Sequence, residues 1–76
     1  MLIQYYFKPE DFNAVPEMGS MVSDINGEKP AVGEAVFIQK NDEVRKYRVV
    51  DVCTFLKAPT VPYVAARECK VLLAEL

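Results

Sequence analysis

Short runs of β-branched and aromatic residues, cut apart by prolines and glycines, set the pattern of this chain. Leu2 to Phe7 is rich in aromatic residues and carries an isoleucine, which predicts a strand. Pro9 ends it, because proline lacks the N–H that a strand ladder needs. Residues 9–33 follow as a long loop punctuated by Pro9, Pro16, Gly19, Gly27, Pro30 and Gly33. Within it, Met18, Met21, Val22 and Ile25 stand at helical spacing, so a short helix is predicted inside residues 16–25. Asn26-Gly27 is a turn dipeptide and offers an extended alternative for Met21–Ile25.

The clearest signal lies further on. Glu34–Gln39 places Val36 and Ile38 on one face, Lys40-Asn41-Asp42-Glu43 is a polar turn, and Val44–Leu56 is a long β-branched and aromatic run. Two such runs around a short polar turn predict an antiparallel hairpin. The alternation slips inside the second run. Tyr47 and Val49 are in phase with each other, whereas Val52 is in phase with Val50. For Tyr47, Val49 and Val52 all to face inward, one extra residue must be absorbed near Val50-Asp51. A β-bulge does this, turns Asp51 to solvent and bends the strand. A bent strand lets a small sheet curl. After two more prolines, Tyr63–Leu76 reads two ways. Period two puts Arg67, Cys69, Val71 and Leu73 on one face of a strand. Period 3.6 gathers Ala65, Ala66, Cys69, Leu72, Leu73 and Leu76 into a helical stripe.

The chain has 76 residues, which predicts one small domain spanning 1–76. Its apolar fraction is 51%, more than so small a core can hide, so apolar surface is expected to remain for a partner. Nine basic and eleven acidic side chains give a net charge of −2, unlike a domain built to live on phosphate. Charge is uneven, with two basic and six acidic groups in residues 1–34 and seven basic and five acidic groups beyond. Two solvated, complementary faces account for this. The first residues lack the basic stretch and long apolar run of a signal peptide, and no segment matches a membrane span. A cytoplasmic protein without membrane contact is expected.

Candidate chemistry is sparse. The chain has no histidine, so the commonest general base and transition-metal ligand are missing. Cys53 and Cys69 form no Cys-x-x-Cys and fall short of a structural zinc site. They read as buried reduced thiols, with a disulfide as the alternative. Ser20 and Ser23 have no base to activate them. The pairs Glu10-Asp11 and Asp42-Glu43 read as solvated turns, and Asp24, Asn26 and Glu28 fail the spacing of a calcium loop. No catalytic residue, metal ligand or cofactor is expected.

Two surfaces remain as binding candidates. Tyr5, Tyr6 and Phe7 cannot all face the core, because side chains on a strand alternate, and an exposed tyrosine is a preferred interface residue. Tyr5 or Tyr6, with the loop residues Met18 and Met21, is therefore the candidate protein-binding patch, for another protein or a second copy. Arg45, Lys46, Arg48 and Lys57, mingled with Tyr47 and Phe55, form the alternative, a basic strand face for single-stranded nucleic acid. Outward lysine and arginine are also ordinary guards of an edge strand, which makes this the weaker reading.

Pro30-Ala31-Val32-Gly33-Glu34-Ala35-Val36, followed by Tyr47-Arg48-Val49-Val50-Asp51-Val52, resembles a pattern in short uncharacterised β-rich proteins of bacteria and their phages. There an N-terminal strand precedes Pro-x-Val-Gly-Glu-x-Val, then Tyr-Arg-Val-Val-x-Val, then a last strand to which Val71–Leu76 is similar. About half the chain takes part. The loop at 9–29 and the helical stripe at the end depart from that pattern. The resemblance implies a strand at the C-terminus, an accessory role in a phage or mobile element, and no activity. The expected fold is therefore mainly β, or α+β: a rolled antiparallel sheet or open barrel of four or five strands, SH3-like in shape. The expected function is a non-enzymatic interaction module.

Overall fold

The computed structural model describes residues 1–14, 22–57 and 66–76. Five strands and one helical turn make up the fold: β1 (Leu2–Tyr6), α1 (Pro9–Phe12), β2 (Val22–Asp24), β3 (Ala35–Lys40), β4 (Glu43–Lys57) and β5 (Ala66–Glu75). They form one sheet in the order β2-β1-β5-β4-β3, curled into a half-barrel. The mainly β, open-barrel architecture is the expected one. The sheet is mixed rather than antiparallel throughout, since β1 and β5 run parallel, with Ile3 beside Cys69 and Tyr5 beside Val71. No tight turn joins these two strands. The rest of the chain lies between them, so their relative direction is not tied to a hairpin.

The β3–β4 hairpin closes more tightly than the polar turn suggested. Lys40 pairs with Glu43, leaving Asn41-Asp42 as a two-residue turn. Asn41 has φ 58°, a left-handed conformation that asparagine tolerates better than most residues. β4 then pairs with β5 along its length, and the register shifts between Val49 and Asp51. That shift is the anticipated bulge. Val49 faces Leu73 and Val52 faces Val71, so both point to one face, while Asp51 is exposed and accepts a hydrogen bond from the Val52 N–H at 2.8 Å. The C-terminal segment is a strand over its described residues. The helical stripe loses because β5 pairs with β4 along its length and with β1 over Glu68–Leu72, which satisfies its backbone from both sides there.

Residues 9–33 hold more structure than a loop. Pro9 opens the one-turn α1 instead of merely ending β1, a position where its missing N–H costs nothing. Asn13 closes the turn by donating from Nδ2 to the Pro9 carbonyl at 2.8 Å. Val22 and Ile25 are not helical. Val22–Asp24 adds to β1 as an edge strand, and Ile25-Asn26 turns, with the Asn26 N–H donating to Asp24 Oδ1 at 3.2 Å. Residues 16–21, the first part of the expected helix, lie outside the described residues. Gly27 follows because nothing larger fits: a Cβ there would stand 2.5 Å from Ile3 Cγ1.

Both faces of the sheet are used. Ile3, Val49, Cys69, Val71 and Leu73 are buried on the concave face, with Val36, Ile38, Tyr47 and Val52 packed around them. On the opposite face α1 covers a smaller cluster. Tyr6 meets Phe12 edge-on at 6.1 Å between centroids, and the Lys70 ammonium lies 5.1 Å and 5.6 Å from the two ring centres. Lys70 is itself buried, its charge facing ring π-clouds.

Candidate functional site

Strand alternation decides where each candidate side chain goes. Tyr5 and Tyr6 are neighbours on β1 and so face opposite sides of the sheet. Tyr5 is half-buried on the concave side and packs against the core. Burial raises its phenol pKa above the ordinary value, and the charge of Asp24 adds to the rise. Tyr6 is 1% exposed, enclosed beneath α1, with its hydroxyl donating to Gln4 Oε1 at 3.3 Å. It is a core residue and presents no surface to a partner. Met18 and Met21 lie outside the described residues. Of that candidate patch, the described residues place Tyr5 at the concave core and Tyr6 beneath α1, on opposite faces of β1.

The basic set is divided as well. Lys46 and Arg48 share the convex face, opposite Phe37 and Ala35. Arg45 projects to the concave side, where its Nε bonds Glu43 Oε1 at 2.7 Å and its Nη1 reaches Glu75 Oε1 at 3.3 Å. The Glu43 hydrogen bond, then the charges of Glu43 and Glu75, push the guanidinium pKa up. Arg48 donates to the Gly33 carbonyl at 2.7 Å, bracing the turn at Gly33, whose φ is 93°. Lys46 lies 5.7 Å from the Phe37 ring centre. Lys57 ends β4, and its side chain lies outside the described residues. Arg45 and Arg48 hold the hairpin together rather than forming a free positive groove.

What the sequence reading missed is the apolar surface of this hairpin. Phe37 is 65% exposed and Val44 56%, while Val50 and Phe55 line the rest of β4's outer surface. The signal was present in the unbroken run Ala35-Val36-Phe37-Ile38. When Val36 and Ile38 fill the concave face, Phe37 must project from the other. Inside the half-barrel a groove of about 440 Å³ opens between the two sheet edges, bounded by Phe7, Val22, Ile38, Lys40, Arg45 and Tyr47. Its lining is mixed: these apolar side chains share it with the Arg45–Glu43 ion pair, Lys40 and Asn41. Among the described residues no group of three or more potential metal ligands converges, and no helix is long and apolar enough to cross a membrane.

The cysteines separate by burial. Both are free, and Cys53 is exposed, contrary to the expected buried pair, because the bulge puts it on the convex side of β4. Cys69 is buried in the core, and that burial raises its thiol pKa from the ordinary 9.0. Tyr5 is raised from 10.0 for the same first reason. Both groups bind their proton more tightly when folded. The stability they contribute is complete below those ordinary values and is lost as pH climbs through the raised ones. We expect the melting temperature to fall from about pH 9 upward, with the lower part of the fall removed in Cys69→Val. An unchanged melting temperature to pH 11 would refute this. Compared with known proteins, the chain matches no family model, no curated protein and no solved structure.

Proposed function

We propose that this chain is a non-enzymatic protein-interaction module that binds through its β3–β4 hairpin. One observation carries the reading: large apolar side chains, Phe37 and Val44, stand exposed beside a sheet edge that has no partner strand among the described residues. Exposed aromatic and aliphatic groups next to open backbone donors and acceptors suit capture of an extended segment from a protein. The binding surface then belongs to the hairpin, and Tyr5 to the core. Nucleic-acid binding is the weaker reading, since Arg45 and Arg48 are bonded within the fold. The resemblance noted above implies an accessory role in a phage or mobile element, which the neighbouring genes would test.

The experiment places a photo-crosslinking side chain at Val44 and illuminates the protein in cell lysate. Discrete protein adducts are expected, and Phe37→Ser in the same protein should abolish them. If adducts are no more abundant than from a probe at exposed Glu10 on α1, the reading fails. Retention on heparin that weakens with salt would favour the basic-face alternative.

A further inference from the structure

The free edge of β3 is complementary to itself. In the register of the hairpin, the closing pair Lys40–Glu43 fixes which residues bond to β4. Val36, Ile38 and Lys40 direct their peptide groups to β4, so Ala35, Phe37 and Gln39 direct theirs outward. Among the described residues no strand lies on that side. Natural edges are usually guarded by inward charges, prolines or bulges. Here Ala35–Gln39 carries none of these. Gly33 and Asn41, both at positive φ, end the extended stretch on either side.

We propose that β3 pairs antiparallel with β3 of a second copy, about a two-fold axis through Phe37. This rests on the interaction reading above and names the partner. In this register Phe37 meets Phe37 of the second copy as a hydrogen-bonded pair, using the outward N–H and C=O. Val36 meets Ile38 and extends the apolar concave face. Ala35 meets Gln39. Glu34 meets Lys40, once at each end of the ladder.

The charges select this arrangement over its neighbours. A parallel in-register pairing sets Glu34 against Glu34 and Lys40 against Lys40. A two-residue slip one way sets Glu34 against Asp42. The opposite slip leaves Glu34 facing Ile38. A one-residue slip turns the outward peptide groups out of phase. Only the register centred on Phe37 pairs opposite charges at both ends, and opposite-charge cross-strand pairs are favourable where like charges are not. Two half-barrels joined in this way share one continuous sheet of ten strands, twice the five of one chain.

The test is sedimentation velocity over a concentration series at low salt. Wild type is expected to move from monomer to dimer as concentration rises. Phe37→Pro removes an outward N–H that β4 does not use, so the variant should keep its β-sheet circular dichroism and sediment as a monomer. Glu34→Lys and Lys40→Glu should each weaken self-association by about tenfold, since each puts like charges at both ends of the ladder. Mixed in equal amounts, these two variants should form a heterodimer, because each then supplies the charge its partner needs. A wild type that stays monomeric throughout overturns the proposal, as does a folded Phe37→Pro that still dimerises. Adducts from the Val44 probe to a different protein, with a monomeric wild type, would sink the self-pairing while leaving the interaction reading intact. A monomer with no adducts would sink both.

Discussion

Tyr6→Ala is expected to cost about 3–5 kcal/mol of stability, the range for truncating a large buried aromatic ring. A domain of this length has about 4–11 kcal/mol in total, so the variant should be partly unfolded at 37 °C. Tyr6 is 1% exposed and is held between the β5 strand and Phe12 of α1. Removing its ring takes away the surface on which α1 rests and leaves the buried Lys70 ammonium without one of its two aromatic neighbours. Tyr6→Phe keeps the ring and removes the hydroxyl that donates to Gln4, which should cost about 1 kcal/mol. Thermal unfolding followed by circular dichroism separates the two. A Tyr6→Ala protein that melts with wild type would mean that α1 does not pack on the sheet. The same pair of variants separates the core role of Tyr6 from a surface role. A binding tyrosine can be truncated without loss of fold, and this one cannot.

The difference between Tyr5 and Tyr6 shows which parts of the structure the sequence could reveal. The hairpin was legible because its two runs obey one rule each, alternation, and are joined by residues that turn. The bulge was legible because Tyr47, Val49 and Val52 cannot share a face without it. By contrast, Leu2–Tyr6 is apolar or aromatic at nearly every position, so period two gives no sign of which face is inner. Both are. The concave core takes Ile3 and Tyr5, and α1 covers Tyr6 from behind. Nothing in the local pattern announces α1, a four-residue turn that exists because Phe12 has Tyr6 to sit on. The direction of β5 beside β1 is also invisible locally, since it depends on strands from opposite ends of the chain. Tertiary contacts made these choices, and short-range propensity was silent on them.

The same asymmetry explains why the hairpin is the part left exposed. α1 covers the convex face only over β1 and β5, through Tyr6 and Lys70. Its four residues cannot reach β3, which lies two strands beyond β5 in the sheet. Phe37 and Val44 therefore project from a face that has no second layer among the described residues. Phe37, Val44, Val50 and Phe55, all exposed, carry part of the apolar excess noted in the composition. A second layer, or a continuation of the sheet, is what such a surface lacks.

Val49→Asp and Val50→Asp, the same change at adjacent valines, are expected to have opposite outcomes. Val49 is 1% exposed, sits opposite Leu73 in the core, and exchanges backbone hydrogen bonds with Gly33 and Glu34 at 2.8 and 2.9 Å. A carboxylate there would be set among Ile3, Cys69, Val71 and Leu73, none of which can pair with it. An unpaired buried charge costs about 3–5 kcal/mol, and the lost valine burial adds to it, enough to unfold a domain of this size. Val50 is the extra residue of the bulge, 44% exposed, with no residue of β5 assigned to it. Aspartate there should change stability by no more than about 0.5–1 kcal/mol. Urea unfolding of the two variants decides the matter. If Val50→Asp were the damaging one, the inner phase of β4 would run through Val50. The curl of the half-barrel, and with it the separation of the β2 and β3 edges, would then need another cause than the bulge.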